Sequence, residues 1–292
     1  MLNKGQTYKY AGGGVDLTGS FISADKNVAV FSGHSCAQIP GGVTYCDTLL
    51  EQAIPTDKLS KSYLLTASRG AEITPLRSDL VRIIATADNT DVSVNGALVA
   101  TLNKGQVHEF SISAGAGAKI EASQAVAVAQ YLTGGQGVRV GGGGTDPAMS
   151  YVPGADTWLD KYRLATPSGA SAFDFNWASI VIDTADLGSL KLDGVAVDTS
   201  GFTAIGATGF SRGNVDLPLG LFDLTADSKF LVMLGGGDQD DSYYTYGGST
   251  FAPGISPPPA PAPEPASLLL TAVALAGLAA SRRRKTVGPT QG

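Results

Sequence analysis

The stretch "VRIIATADNTDVSVNG" (residues 81–96) returns without a gap as "SIVIDTADLGSLKLDG" (residues 179–194), 98 positions later. Thr86-Ala87-Asp88 and Thr184-Ala185-Asp186 are identical, and each copy ends on a pair, Asn95-Gly96 or Asp193-Gly194. Such pairs are type I′ hairpin signals, because both central positions of that turn need φ > 0. The copies therefore read alike. An apolar strand (residues 82–87 in the first copy) leads to a turn, then to an alternating strand (residues 91–94) and a tight hairpin.

More landmarks recur at nearly the same interval, the first of them 100 positions apart. "LNKGQTYKY" (residues 2–10) recurs as "LNKGQVHEF" (residues 102–110). The spaced pattern Ile22, Ala24, Val28-Ala29-Val30 recurs as Ile120, Ala122, Val126-Ala127-Val128, and again as Leu224, Ala226, Phe230-Leu231-Val232. These intervals are 98 and 104 residues. The Val-Ala-Val run is wholly apolar and β-prone, which places it in a sandwich core. The expected fold is all-β: tandem antiparallel sandwich-like repeats of about 100 residues, plus one short C-terminal apolar helix. Residues 1–253 form the β domain, divided as 1–75, 76–173 and 174–253. The first unit lacks the hairpin that precedes "LNKGQ" in the others, so about two and a half repeats are expected. The missing half and a signal peptide would lie upstream. As written, the half-unit leaves a sheet edge unpaired.

Composition agrees. The chain has 292 residues with 38 glycines and only 16% charged residues. Many turns and few charges suit an extracellular β protein better than a helical bundle. From Ser256 onward one acid faces four bases, so the total charge of −6 leaves −9 on the body. An acidic body argues against nucleic acid as a partner.

Residues 254–265 form a proline-rich, extended linker that ends in Pro263-Glu264-Pro265. Residues 266–280 carry no charge. As a helix they would reach about 22 Å, short of a bilayer core of about 30 Å. Arg282, Arg283, Arg284 and Lys285 follow at once, and residues 286–292 close the chain. A basic cluster beside an apolar segment stays on the cytoplasmic side, which puts the body outside. The order of proline-glutamate-proline, short apolar helix and arginine cluster over residues 263–285 resembles the PEP-CTERM sorting signal of Gram-negative bacteria. That resemblance implies processing by an exosortase, a membrane-embedded cysteine transpeptidase-like enzyme. It also implies a transient inner-membrane anchor and final release to the cell surface or extracellular matrix.

Cys36 and Cys46 are the two cysteines of the chain. In an exported protein two nearby cysteines are expected to pair. A redox pair is the alternative, though the spacing is not C-x-x-C. The segment "FSGHSCAQIPGGVTYCDTLLEQAIPTDKLSKSY" (residues 31–63) resembles the N-terminal domain of the IgG Fc-binding protein family. The family pattern C-D-x-L-x-E-Q-x-P-P falls on Cys46, Asp47, Leu49, Glu51, Gln52 and Pro55. Ile54 and Pro55 stand where the family has its two prolines, and Lys58-Leu59-Ser60 stands where it has Trp-Gly. "GTDPAMSYVPGADTWLDKY" (residues 144–162) resembles the parallel segment of the next repeat, with Trp158 kept. The resemblance implies a secreted, disulfide-containing β domain of a surface or matrix protein.

Candidate chemistry is sparse. Gly33-His34-Ser35-Cys36 lacks the second glycine of a nucleophile elbow. "GGQGVRVGGGGTD" (residues 134–146) lacks the G-K-[ST] of a phosphate loop and reads as a connection between units. "GGGDQDDSYYTYGG" (residues 235–248) sets Asp238, Asp240 and Asp241 beside tyrosines. Three carboxylates supply about half of the 6–8 oxygens that calcium takes, so these residues are a candidate calcium cluster in a chain otherwise expected to need no cofactor. The sequence thus favours a non-enzymatic surface or matrix protein that binds an extracellular glycan or protein. A secreted polysaccharide hydrolase and a calcium-stabilised adhesin are the alternatives.

Overall fold

A computed structural model describes residues 1–250, apart from Thr44, Thr74, Pro75, Gly141, Gly142, Gln239 and Asp240. The linker, the apolar segment and the basic cluster lie outside the described residues, as do the sorting residues Pro263, Glu264, Pro265, Arg282, Arg283 and Arg284.

The strands are β1 (Phe31–Ala37), β2 (Asp47–Gln52), β3 (Ser60–Thr66), β4 (Ser78–Ala85), β5 (Thr90–Val94), β6 (Ala97–Leu102) and β7 (Val107–Ser113). They continue as β8 (Gly117–Leu132), β9 (Gly135–Val140), β10 (Gly143–Thr145), β11 (Ala148–Tyr151), β12 (Leu159–Thr166) and β13 (Phe175–Asp183). The last are β14 (Lys191–Leu192), β15 (Val195–Ala196), β16 (Thr203–Ala204), β17 (Phe210–Asp216), β18 (Gly220–Gly237) and β19 (Ser242–Tyr246). One short helix, α1 (Arg69–Ile73), interrupts them.

Two long strands organise everything else. The first half of β8 pairs with β3 and β5, and its second half pairs with β4 and β11. The first half of β18 pairs with β12 and β14, and its second half with β13 and β19. Strands β7 and β17 flank β4 and β13 in the same way. All of these pairings are antiparallel. Each long strand passes from one leaf of a sandwich to the other, and the inward residues of both leaves make the core: Tyr63, Leu65, Val81, Ile83, Val92, Ile120 and Val126 in the first, Tyr162, Ile180, Ile182, Leu224 and Phe230 in the second.

A tyrosine locks each crossover. The Tyr63 hydroxyl accepts a hydrogen bond from the Ser60 amide (2.9 Å) and donates to the Val126 carbonyl (2.6 Å). The Tyr162 hydroxyl accepts from the Leu159 amide (3.1 Å) and donates to the Phe230 carbonyl (2.5 Å). Both tyrosines follow a 3-10 turn, and register shifts occur beside them at Ser60/Ser62 and at Leu159/Lys161. The hydroxyl therefore serves backbone groups where the ladder is irregular. Tyr63→Phe is expected to cost about 1–3 kcal/mol through the buried groups it leaves unpaired. Urea denaturation checks this, and an unchanged midpoint would refute the clamp.

The hairpins form as the sequence requires. Asn95 and Gly96 have φ of 52° and 81°, and Asp193 and Gly194 have 51° and 79°. The Asn95 side chain accepts from the Lys119 amide (2.9 Å), and Asp193 accepts from the Asp223 amide (2.8 Å). The "LNKGQ" turns also match. In each, the glutamine Oε1 accepts from an asparagine amide, Asn3 or Asn103, at 2.8 Å.

The gapless alignment needs one correction. It places Val81 opposite Ser179, yet Val81, Ile83 and Ala85 face their own core as Ala178, Ile180 and Ile182 do. The strands therefore correspond one residue out of step with the hairpins. The 3-10 turn Thr184–Ser189 absorbs the difference.

Strand β13 is buried on both faces, so its sequence does not alternate. Ala178, Ile180 and Ile182 enter their own core, whereas Trp177 and Val181 enter the first core together with Leu231, Met233 and Tyr244. The hairpin β1–β2 packs in the corresponding place one unit earlier. Its Ala37 and Leu49 cover Leu80, Ala129, Tyr131 and Met149 on the outer face of β4, β8 and β11.

Candidate binding surface

Three loops singled out in the sequence are one loop seen three times. Residues 38–46 join β1 to β2, residues 133–147 join β8 to β11, and residues 238–241 join β18 to β19. Each joins a strand to its antiparallel partner: β1 to β2, β8 to β11 and β18 to β19. Stacking of the units brings them to one end. The Gly134 amide donates to the Ile39 carbonyl at 2.9 Å, joining the first loop to the second. The Ser242 hydroxyl donates to the Asp146 carbonyl, joining the third to the second.

Each loop is held differently. In the first, Cys36 and Cys46 form a disulfide with a Cα–Cα distance of 4.9 Å. Cys36 is therefore no nucleophile, and its amide donates to His34 Nδ1 at 3.0 Å. Closing so short a loop stabilises it by about 2–3 kcal/mol in the chain-entropy model. Replacing both cysteines by serine should raise amide exchange in β1 and β2 by a comparable free energy and leave β13 unchanged. Exchange that is equal with and without the bridge would contradict this. The second loop contains its own ribbon, β9 paired with β10. Across the third, the Asp238 amide donates to the Asp241 carbonyl at 2.9 Å.

The end is acidic. Burial raises the Asp241 carboxyl above the usual range, and the charges of Asp47 and Asp238 push it the same way. Asp47, which follows Cys46, is thus near the third loop. Asp240 lies outside the described residues. Among the described residues, no three His, Cys, Asp or Glu side chains are grouped closely enough to hold a metal ion. Glu51, on β2, is half-buried, and desolvation raises its carboxyl to about 7. Its charge also bears on Tyr246.

Sequence reading found the three loops separately and missed that they meet. The signal was present: adding 98 to Cys36 gives Gly134, and adding 104 to Gly134 gives Asp238. It also missed Tyr63 and Tyr162, although each follows a proline (Pro55 and Pro153) at nearly the same distance.

The profile of the family described as IgGFc binding protein matches residues 1–236. That of the PEP-CTERM protein-sorting motif matches residues 261–285. The sorting motif marks the chain for export and for processing by an exosortase. The IgGFc-binding protein of Homo sapiens is 27% identical over 224 residues, which is 76% of this chain and 4% of the human protein's length. Among solved structures, an anti-sigma factor domain-containing protein covers 62% of this chain and 80% of its own, at 10% identity and a TM-score of 0.18, too low to bear on the fold. Among the described residues, no helix is long and apolar enough to cross a membrane.

Proposed function

This chain belongs to the IgGFc binding protein family, and from that premise we propose that it is a non-enzymatic binding module of the bacterial cell surface or extracellular matrix. Its ligand-binding surface is the end where residues 38–46, 133–147 and 238–241 meet. The observation that carries this reading is the convergence of three equivalent loops on two rigid sandwiches. Sandwich loops gathered at one end can vary while the scaffold holds them in place. The sorting motif supports delivery: a transient stay in the inner membrane of a Gram-negative cell, cleavage by an exosortase, and release outward.

The ligand class is an extracellular glycan or a glycan-bearing protein. Tyr243 and Tyr246, partly exposed on β19, and the acidic residues before them offer aromatic faces and oxygen acceptors near the loop end. The test uses residues 1–252 on a glycan array and on the extracellular polymer fraction of the producing cells. We expect saturable binding by the native body. A variant with residues 136–145 replaced by a Gly-Ser linker should lose at least tenfold in affinity, with its melting temperature kept within a few degrees. Equal binding by both proteins, or none by the native one, would refute the assignment.

A further inference from the structure

The first core ends in a polar group that the binding loops do not use. Ser68 follows β3, Asp79 lies on β4 two residues before Val81 and on the same face, and Gln130 lies on β8 opposite Val81. All three are 0% exposed. The Asp79 carboxylate holds them together. One of its oxygens accepts from the Ser68 hydroxyl at 2.9 Å, and the other accepts from Gln130 Nε2 at 2.8 Å. A hydroxyl and a carboxamide are thus neighbours on one carboxylate, with Leu132 and Trp177 packed beside the hydroxyl around Gly70.

Hydrogen bonding leaves this group incomplete. Gln130 Nε2 also donates to the Thr66 carbonyl at 2.9 Å, so two acceptors fix which end of the amide is nitrogen. The buried Oε1 then has no partner among the described residues, a costly state for an amide oxygen. Ser68 also caps α1 by accepting from the Ala71 amide at 3.1 Å, a role that needs neither Asp79 nor Gln130. The second sandwich does without the group. Counted from the clamping tyrosines, Ser68 corresponds to Pro167. The register of β4 on β8 and of β13 on β18 matches Asp79 with Asn176 and Gln130 with Leu234. The fold itself therefore does not call for these three side chains.

We infer that they form a covalent cross-link, an ester between Ser68 Oγ and Gln130 Cδ, with Asp79 as the base. The hydroxyl already lies within proton-transfer reach of the carboxylate. Burial raises the Asp79 carboxyl to about 6, so near neutral pH it is ionised and ready to take a proton. Asp79 takes the hydroxyl proton, Oγ adds to Cδ, the Cδ–Nε2 bond breaks, and the nitrogen leaves with that proton as ammonia. One hydroxyl and one carboxamide become one ester and one ammonia. Asp79 ends as it began, and no oxidant or other reactant is consumed. Burial keeps away the water that would hydrolyse the product. The link would tie the exit of β3 to β8, one leaf of the sandwich to the other, whereas the Cys36–Cys46 bridge closes a loop between neighbouring strands.

The test digests the protein recovered from producing cells with trypsin and reads the peptides by mass spectrometry. Ser68 falls in the peptide of residues 62–69 and Gln130 in that of residues 120–139. We expect the two as one species, lighter than their sum by one ammonia. Fragmentation should place the link at residues 68 and 130, and hydroxylamine should part it. Ser68→Ala should give two separate peptides. So should Asp79→Asn, which keeps the shape of the carboxylate without its basicity. Separate peptides from the native protein, or an undiminished link in Asp79→Asn, would overturn the proposal. The native digest decides by itself, whether or not either variant folds.

Discussion

Trp177→Ala should lower the unfolding free energy of the body by about 3–5 kcal/mol, the range for large-to-small changes of a buried aromatic side chain. Trp177 is fully buried on β13 but faces away from its own sandwich. It stacks on Phe175 with centroids 5.5 Å apart and lies against Gly235, where any side chain would clash with its ring. Its indole joins the first core, so the loss should be felt in both sandwiches. Trp177→Phe should be far milder, at about 1–1.5 kcal/mol. Among the described residues the buried Nε1–H has no hydrogen-bond partner, so removing it relieves a desolvation cost that offsets part of the lost volume. Urea unfolding followed by tyrosine fluorescence and by amide exchange in β3 and β13 checks both variants. A loss confined to β13 would contradict a shared core.

The second large effect is electrostatic. Asp79 lies fully buried on β4, where its carboxylate accepts from the Ser68 amide (2.6 Å), the Ser68 hydroxyl (2.9 Å) and Gln130 Nε2 (2.8 Å). Burial outweighs these donors and pushes the carboxyl up to about 6. The fully buried phenol of Tyr244 is the other titratable group that Asp79 influences. An unfolded aspartate titrates near 3.9. Between about pH 4 and pH 6 the folded state therefore holds a proton that the unfolded state has lost. The Asp79 contribution to stability should fall as pH rises through that window and level off above it, by about 3 kcal/mol over two pH units. Glu51, raised to about 7, acts in the same direction. Urea unfolding at pH 4.5 and 7.5 measures the difference, and Asp79→Asn should remove the Asp79 share of it, about 2 kcal/mol, while the Glu51 share stays. A native protein more stable at pH 7.5 than at 4.5 would contradict the reading.

What was legible in the sequence was local. Asn95-Gly96 and Asp193-Gly194 dictate their turns because few other residues accept the required φ, and the structure gives both the same geometry. The "LNKGQ" turns read correctly for the same reason, through Gly5 and Gly105 at φ of 83° and 82°, and the Val126-Ala127-Val128 run because its two valines are buried. What was not legible depends on partners distant in the chain. Strand parity in β4 and β13 is set by which face meets which core, and β13, buried on both faces, carries no alternation from which to read it. Asp79 sits in an apolar strand, and its donors come from residues 11 and 51 positions away. The meeting of the three loops emerged only from stacking, which sets Asp47 near Asp241, far along the chain.

The account rests on an outward journey: a body whose thiols oxidise outside the cytoplasm and whose tail is removed on the way. Intact-mass analysis of the protein recovered from producing cells, fractionated into cytosol, membrane and exterior, tests this most directly. We predict that the exterior fraction holds the bulk of the protein, with Cys36 and Cys46 bridged and the chain ending upstream of Arg282. Full-length chains in the cytosol, with both thiols free and residues 261–285 still attached, would contradict it.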